Sequence, residues 1–99
     1  MSQITEIQFV PVKPQNGLVA FVSFVLDDNL YLSSIGIVTR SEGGYRLLYP
    51  TKKSINKDFA IFHPISKEFG MYLEKIILNE YEKVMKNNDR YGSTDNPSY

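Results

Sequence analysis

The stretch that decides the fold runs from Tyr45 to Ile65 and reads YRLLYPTKKSINKDFAIFHPI. Two short apolar runs flank a basic segment, and a proline stands after each run. Proline lacks the backbone N–H that a sheet ladder needs, so Pro50 and Pro64 mark strand ends. The stretch therefore predicts two strands, Tyr45–Tyr49 and about Asp58–Phe62, joined by a basic loop.

Three further strands are predicted upstream of this stretch, at Ile4–Val12, Leu18–Leu26 and Leu30–Thr39. Turn residues separate them. Asn16-Gly17 supplies the positive φ that tight hairpins require, and Asp27-Asp28-Asn29 is ordinary turn chemistry. Pro11 favours a sheet edge or a bulge, and Gly36 a bulge or a close backbone approach.

The strand Leu18–Leu26 is apolar on both faces, whereas an antiparallel strand with one wet face should alternate. One helix covers only two or three strands on a single face of a sheet. The second face is then left bare, and large exposed apolar patches usually mark an interface. We therefore expect a homodimer joined through sheet faces or strand edges, with Val19, Phe21, Val22 and Phe24 as the candidate interface residues.

One helix is predicted after Pro64, with Ser66 as its N-cap and its end near Met85. Its apolar stripe comprises Phe69, Leu73, Ile76, Ile77, Tyr81 and Val84. The polar segment 87–99 predicts a disordered tail behind a domain of residues 1–86. Strands followed by a helix predict an α+β fold: a small antiparallel sheet of about five strands and one C-terminal amphipathic helix.

Composition narrows the classes of function. The 99 residues suit one domain, and the absence of cysteine excludes disulfides and thiolate chemistry. The one histidine, His63, precedes a proline and is interpreted as structural, and no phosphate-binding glycine loop or metal-ligand pattern is present. We therefore expect a protein that is not an enzyme, with no metal, cofactor or small-molecule substrate.

No long apolar run predicts a membrane span, and the first residues lack the features of a secretory signal. A cytoplasmic location is expected.

Charge is balanced over the chain, with eleven basic and eleven acidic side chains, which argues weakly against a dedicated nucleic-acid binder. It is not evenly spread, since residues 40–68 carry six basic side chains and three acidic ones. The simpler interpretation of this basic excess is a solvated loop, which is the commoner role of a small charge run. Aromatic side chains could stack on bases, but a core position is favoured for all of them except Tyr31, Tyr45 and Tyr49. The candidate nucleic-acid-binding residues are Lys52, Lys53, Lys57, Lys67 and Arg46.

Four segments in this order resemble the SpoVG family of septation regulators: Val25–Leu30, Tyr49–Lys53, His63–Ile65 and Leu78–Tyr81. The resemblance spans about residues 4–84. It implies a small α+β fold, a homodimer, and sequence-selective DNA binding in bacteria, linked to septation in spore formers and to gene regulation elsewhere. It also implies that the loop with Lys52 and Lys53, and the neighbouring helix start, contact nucleic acid.

Two classes of function stay open at this point. One is a DNA-binding regulator whose lysines contact phosphates, with RNA as an alternative ligand. The other is a protein-interaction module of the cell-division or regulatory machinery that does not bind DNA. The balanced charge favours the second class, and the family resemblance favours the first.

Overall fold

The computed structural model describes the backbone of residues 2–94 and the side chains of residues 2–86. Its elements are β1 Ile4–Gln15, β2 Leu18–Leu26, β3 Leu30–Thr39, β4 Tyr45–Leu48, β5 Thr51–Lys53, β6 Asp58–Ala60 and α1 Lys67–Thr94. Strands β1 to β4 form an antiparallel sheet in chain order, and β5 and β6 form a second, two-stranded sheet. The predicted α+β class is confirmed, with the strands divided between two sheets.

The predicted fifth strand does not join the main sheet. Strand β4 ends at Leu48, and Pro50 offers no N–H to continue its ladder. The segment predicted as a loop instead supplies β5, which pairs with β6 in the register Thr51↔Ala60, Lys52↔Phe59 and Lys53↔Asp58. Lys52 and Lys53 thus lie in a strand and not on a loop.

The hairpin turns of the main sheet are those that the sequence predicts. Asn16 and Gly17 have φ angles of 54° and 90°, and Asp27 and Asp28 have φ angles of 53° and 56°. Gly36 is a point of close approach, because a Cβ there would stand 2.9 Å from the Leu18 Cδ1 atom.

Pro11 lies on β1, which is an edge strand and has two register shifts against β2. An edge strand with register shifts is a position that tolerates a proline, as the sequence predicts.

The core lies between one face of the main sheet and α1. Leu73, Ile77 and Tyr81 recur every four residues along the helix, so they lie on one face of it, and all three are buried. The Tyr81 ring contacts Phe9 at a centroid distance of 5.3 Å and Tyr45 at 5.2 Å. The sheet contributes the buried side chains of Ala20, Val22, Phe24, Ile35, Ile37 and Leu47.

Helix α1 begins as predicted, since the Phe69 N–H donates to the Ser66 Oγ at 3.0 Å. Its backbone continues to Thr94, beyond the predicted end near Met85. Once a helix is nucleated, each added residue gains a hydrogen bond at little further cost, so polar residues can extend it. Residues 95–99 lie outside the described residues, and a disordered tail over 87–99 stays a prediction.

The four predicted dimer residues do not share a surface. Val22 and Phe24 are each 1% exposed and belong to the core. Val19 is half-buried and also packs against the core, next to a register shift between β2 and β3. Of the four, only Phe21 lies on the face that α1 leaves uncovered, where Val10 is its register partner. We call this the outer face.

Candidate nucleic-acid interface

The β5–β6 hairpin, residues 51–60, forms a projection that we call the basic arm. All ten of its residues are exposed. The Ile61 N–H donates to the Pro50 carbonyl at 2.8 Å and closes the base of the arm. Within the described part of the chain, its two strands pack on each other and on neither the main sheet nor α1. The core that stabilises the rest of the chain therefore contributes little to the arm.

The tip of the arm is the turn Ser54–Lys57. The Ser54 N–H donates to the Lys57 carbonyl at 3.0 Å, and the Ser54 hydroxyl donates to the same carbonyl at 2.5 Å. The Lys57 N–H donates back to the Ser54 Oγ at 3.3 Å. These bonds join the two ends of the turn, and Ile55 lies between them, fully exposed. The arm thus presents an apolar side chain at its outermost point.

The arm divides its lysines between two faces, because consecutive strand residues point to opposite sides. Lys52 stands opposite Phe59, and the Lys57 Nζ lies 5.2 Å from the centroid of the Phe59 ring. This face carries two cations around one aromatic ring. Lys53 is on the other face, opposite Asp58. The structure therefore brings Lys52 together with Lys57, and not with its sequence neighbour Lys53.

The predicted lysines form no ion pairs with the described side chains. No carboxylate among the described side chains comes within 4 Å of the ammonium groups of Lys52, Lys53, Lys57 or Lys67. An exposed ammonium in this state can neutralise a phosphate without first breaking an ion pair. Lys67 is the first residue of α1, where the positive end of the helix dipole adds to its charge.

Arg46 belongs to a different site from the arm. It lines a polar cleft at the β3–β4 turn together with Thr39, Arg40, Ser41 and Glu42. The Arg40 Nε lies 3.5 Å from a Glu42 carboxylate oxygen. A backbone hydrogen bond, and then the Arg40 charge, lower the pKa of Glu42. One of the two guanidinium groups in the cleft is thus paired, which leaves Arg46 as its free cation among the described residues.

Two residues of these sites were missed by the sequence reasoning. Phe59 was assigned to the core, but it is 49% exposed on the arm. The sequence carried no signal for this, because the predicted strand of about Asp58–Phe62 puts Phe59 and Ile61 on one apolar face, and only the structure shows that β6 ends at Ala60. Arg40 was counted in the charge excess but not assigned to a site, and only the turn geometry places it beside Arg46.

The three tyrosines that the sequence analysis did not assign to the core have different surroundings. Tyr31 is exposed on the outer face. Tyr45 packs edge-to-face on Tyr81, and Tyr49 packs on Phe62 at a centroid distance of 6.3 Å. Burial, and then the charge of Glu74, raise the pKa of Tyr49 to about 12. Tyr45 and Tyr49 are therefore partly buried packing residues, and of the three only Tyr31 is exposed.

Other site chemistries have little support in the part of the chain that the structure describes. No cluster of three or more histidine, aspartate or glutamate side chains there could hold a metal ion. The His63 ring is exposed, and its Nδ1 lies 2.9 Å from the Pro64 carbonyl oxygen. None of the helical segments described is long and apolar enough to cross a membrane.

Comparison with known proteins places this geometry in a family. The SpoVG family model matches residues 2–83, which include the main sheet, the basic arm and more than half of α1. The chain is 34% identical over 83 residues to the "Putative septation protein SpoVG" of Treponema denticola, covering 83% of this chain and 88% of the relative.

Two further relatives have similar coverage. The protein of the same name from Clostridium novyi is 30% identical over 86 residues, covering 86% of this chain and 84% of the relative. The "Putative septation protein SpoVG 2" of Listeria monocytogenes is 25% identical over 83 residues, covering 83% and 80%. A family match over nearly all of the folded chain, with relatives at this identity, shows that the chain belongs to the SpoVG family.

Proposed function

We propose that this chain is a non-enzymatic bacterial regulatory protein that binds DNA as a homodimer through the basic arm. The proposal places it in the cytoplasm, in control of septation, sporulation or gene expression. The observation that carries it is the arm face with Lys52, Lys57 and Phe59, where two cations that have no ion pair among the described side chains flank an exposed aromatic ring. The septation role is supported by the names of the relatives.

The shape of the arm suits a duplex. Its two strands lie about 4.8 Å apart, and a two-stranded β-ribbon can lie in a groove of duplex DNA. Ammonium groups on both faces of such a ribbon can reach the phosphates on either side of the groove. The arm has few contacts of its own to hold it to the body, so binding to a second surface would stabilise it.

Self-association would use the outer face. Phe21 is 37% exposed there, and Val10 and Tyr31 are 62% and 67% exposed. A dimer would bury these side chains and present two basic arms to one duplex.

Replacing Phe21 with aspartate places a charge on the outer face and should convert a dimer to a monomer in sedimentation. Met71→Asp is the matched control, because Met71 is equally apolar and 62% exposed on α1. A wild-type chain that stays monomeric at high micromolar concentration would contradict the dimer.

A salt titration tests DNA binding. Each phosphate that a cation neutralises adds about 0.9 to the slope of log affinity against log salt on duplex DNA. The change Lys52→Ala with Lys57→Ala should weaken binding to a random duplex and reduce the slope by about 0.9 for each phosphate that is no longer neutralised. Lys53→Ala tests the opposite face in the same assay. The control is Lys75→Ala with Lys83→Ala on α1, where Lys83 already lies 3.6 Å from Glu80.

The interaction module remains the alternative, favoured by the balanced charge and the apolar outer face. Absence of DNA binding at low salt would leave it as the leading function. Binding to single-stranded RNA in preference to duplex DNA would keep the arm as the interface and change the ligand. A slope that does not respond to the Lys52 and Lys57 changes would remove the arm from the mechanism.

A further inference from the structure

We propose that Ile55, at the tip of the basic arm, is an apolar wedge that inserts between stacked base pairs and bends the duplex. This inference rests on the proposed DNA binding and adds a mechanical action to it. Phosphate contacts alone hold a duplex in place, whereas a wedge changes its shape.

The first observation is that a large apolar side chain lies where turns ordinarily use other residues. Turn positions favour glycine, proline, asparagine, aspartate and serine, each for a backbone reason. Isoleucine has none of the backbone properties that favour those residues in turns, and the side chain of Ile55 is fully exposed. Isoleucine is also stiff about χ1 because it branches at Cβ. The tip therefore carries a rigid apolar group that the described part of the chain does not bury.

The second observation is that the wedge is held in place. Three hydrogen bonds between Ser54 and Lys57 close the turn on both sides of Ile55. A side chain on a closed turn loses little freedom when it enters a confined space, so the cost of ordering it on binding is small.

The third observation is the charge around the tip. Lys53 lies two residues before Ile55, and Lys57 lies two residues after it. Both ammonium groups lack a carboxylate within 4 Å among the described side chains. An apolar group centred between two cations matches a base step, which has stacked rings in the middle and a phosphate on each side. A protein pocket for Ile55 would instead have to provide acidic groups for both lysines or leave their charges buried without partners.

The expected action follows from the dimensions of DNA. The minor groove of a relaxed duplex is about 6 Å wide, which is too narrow for a two-stranded ribbon with its side chains. Entry of the tip must widen the groove, and apolar wedges that do so unstack a base step and kink the duplex by about 20–90° toward the major groove. Steps that unstack easily, such as TA, should therefore bind best.

The experiment uses the full chain and two labelled duplexes. One carries a donor and an acceptor dye at its ends to report bending, and the other carries 2-aminopurine at a central TA step to report unstacking. Wild type is compared with Ile55→Ser and with the control Ile65→Ser. Ile65 is also an isoleucine and is 96% exposed, but it lies outside the arm. Thermal melting checks that all three proteins fold alike.

Wild type and Ile65→Ser should raise both energy transfer and 2-aminopurine fluorescence. Ile55→Ser should still bind with the wild-type salt slope but lose both signals and the preference for the TA step. Its affinity should fall by less than about tenfold, because the change removes the contact of the wedge together with the cost of unstacking.

Several results would overturn the wedge. Binding by wild type without either signal, or by Ile55→Ser with both signals kept, rejects the wedge and leaves the proposed DNA binding standing. A loss of dimer in sedimentation on Ile55→Ser, with bending unchanged, would make the tip a contact between copies of this chain. Absence of any duplex binding by wild type rejects the proposed function and the wedge together.

Discussion

The body of the protein and its basic arm place the same types of residue in opposite environments. In the body, Phe24 and Ile77 are at most 1% exposed, between the main sheet and α1. In the arm, Phe59 is 49% exposed and Ile55 is fully exposed, with no helix or second sheet over them among the described residues. Both regions contain antiparallel strands, so strand formation alone does not decide burial. What differs is whether the chain supplies a second layer.

That difference separates stability from function within this chain. The body buries its apolar side chains and supplies the free energy of folding. The arm adds almost no burial but presents cations, an aromatic ring and an apolar tip to solvent. Substitutions in the body should therefore change stability, and substitutions in the arm should change binding.

The sharpest test of this division compares two phenylalanines. Phe24→Ala should lower the free energy of unfolding by about 3–5 kcal/mol, because it removes a buried ring and leaves a cavity. Phe59→Ala should lower it by less than about 1 kcal/mol, because the ring is half exposed and its cation contact is with the exposed Lys57. Urea unfolding measures both. Equal losses in the two variants would mean that the arm is part of the core.

The strands, turns and helix of the body could be predicted from the sequence, because the signals for them are local and support one another. The apolar runs of the first three strands, the Asn16-Gly17 turn, the Ser66 N-cap and the four-residue spacing from Leu73 to Tyr81 each agree with the observed fold. A fold can be predicted from sequence when its local signals agree in this way.

The arm was only partly predictable, because its signals depend on pairing. The lysines were found from charge, but their faces follow from the register Lys52↔Phe59, which charge does not specify. The placement of Arg46 beside Arg40 likewise depends on how the β3–β4 turn closes. Val22 and Phe24 were assigned to an interface, since an apolar strand does not reveal which of its faces the helix covers.

A smaller effect on the free energy of unfolding is expected at the edge of the body nearest the arm. Strand β4 is the last strand of the main sheet, and its Leu47 N–H donates to the Glu74 carboxylate of α1 at 3.3 Å. Glu74→Ala should lower the free energy of unfolding by about 1–2 kcal/mol, because it leaves this part-buried N–H without its acceptor. Glu74→Gln keeps an acceptor oxygen and should cost less. Equal losses in chemical denaturation would show that keeping an acceptor oxygen for the Leu47 N–H does not account for the stabilisation.

A pH effect should distinguish Tyr49 from the exposed tyrosines. Because burial raises its pKa to about 12, the folded state resists ionisation that the unfolded chain undergoes near pH 10. The stabilisation is complete below about pH 10 and is lost as pH rises toward about 12. Two pKa units correspond to at most about 2.7 kcal/mol, and solvent screening of this half-buried ring reduces the effect to about 1 kcal/mol.

Tyr49→Phe isolates this contribution. The Tyr49 hydroxyl is buried and has no hydrogen-bond partner among the described residues, so its removal should not destabilise the fold at neutral pH. Above about pH 10 the variant should lose less stability than wild type. A steeper alkaline loss in Tyr49→Phe than in wild type, measured by denaturation at each pH, would contradict the assignment.

The smallest effect on stability is expected where the effect on binding is largest. Lys52→Ala with Lys57→Ala should change the free energy of unfolding by less than about 0.5 kcal/mol, since neither ammonium has an ion pair among the described side chains and both are exposed. Most of any loss should come from the interaction of Lys57 with Phe59. That loss is small, because an exposed cation–π pair is weak. If the double variant instead unfolded at clearly lower urea, the two lysines would be holding the arm together. Any fall in DNA affinity would then report an altered arm and not the removal of charges that neutralise phosphates. An unchanged unfolding curve with a reduced salt slope assigns the two lysines to binding.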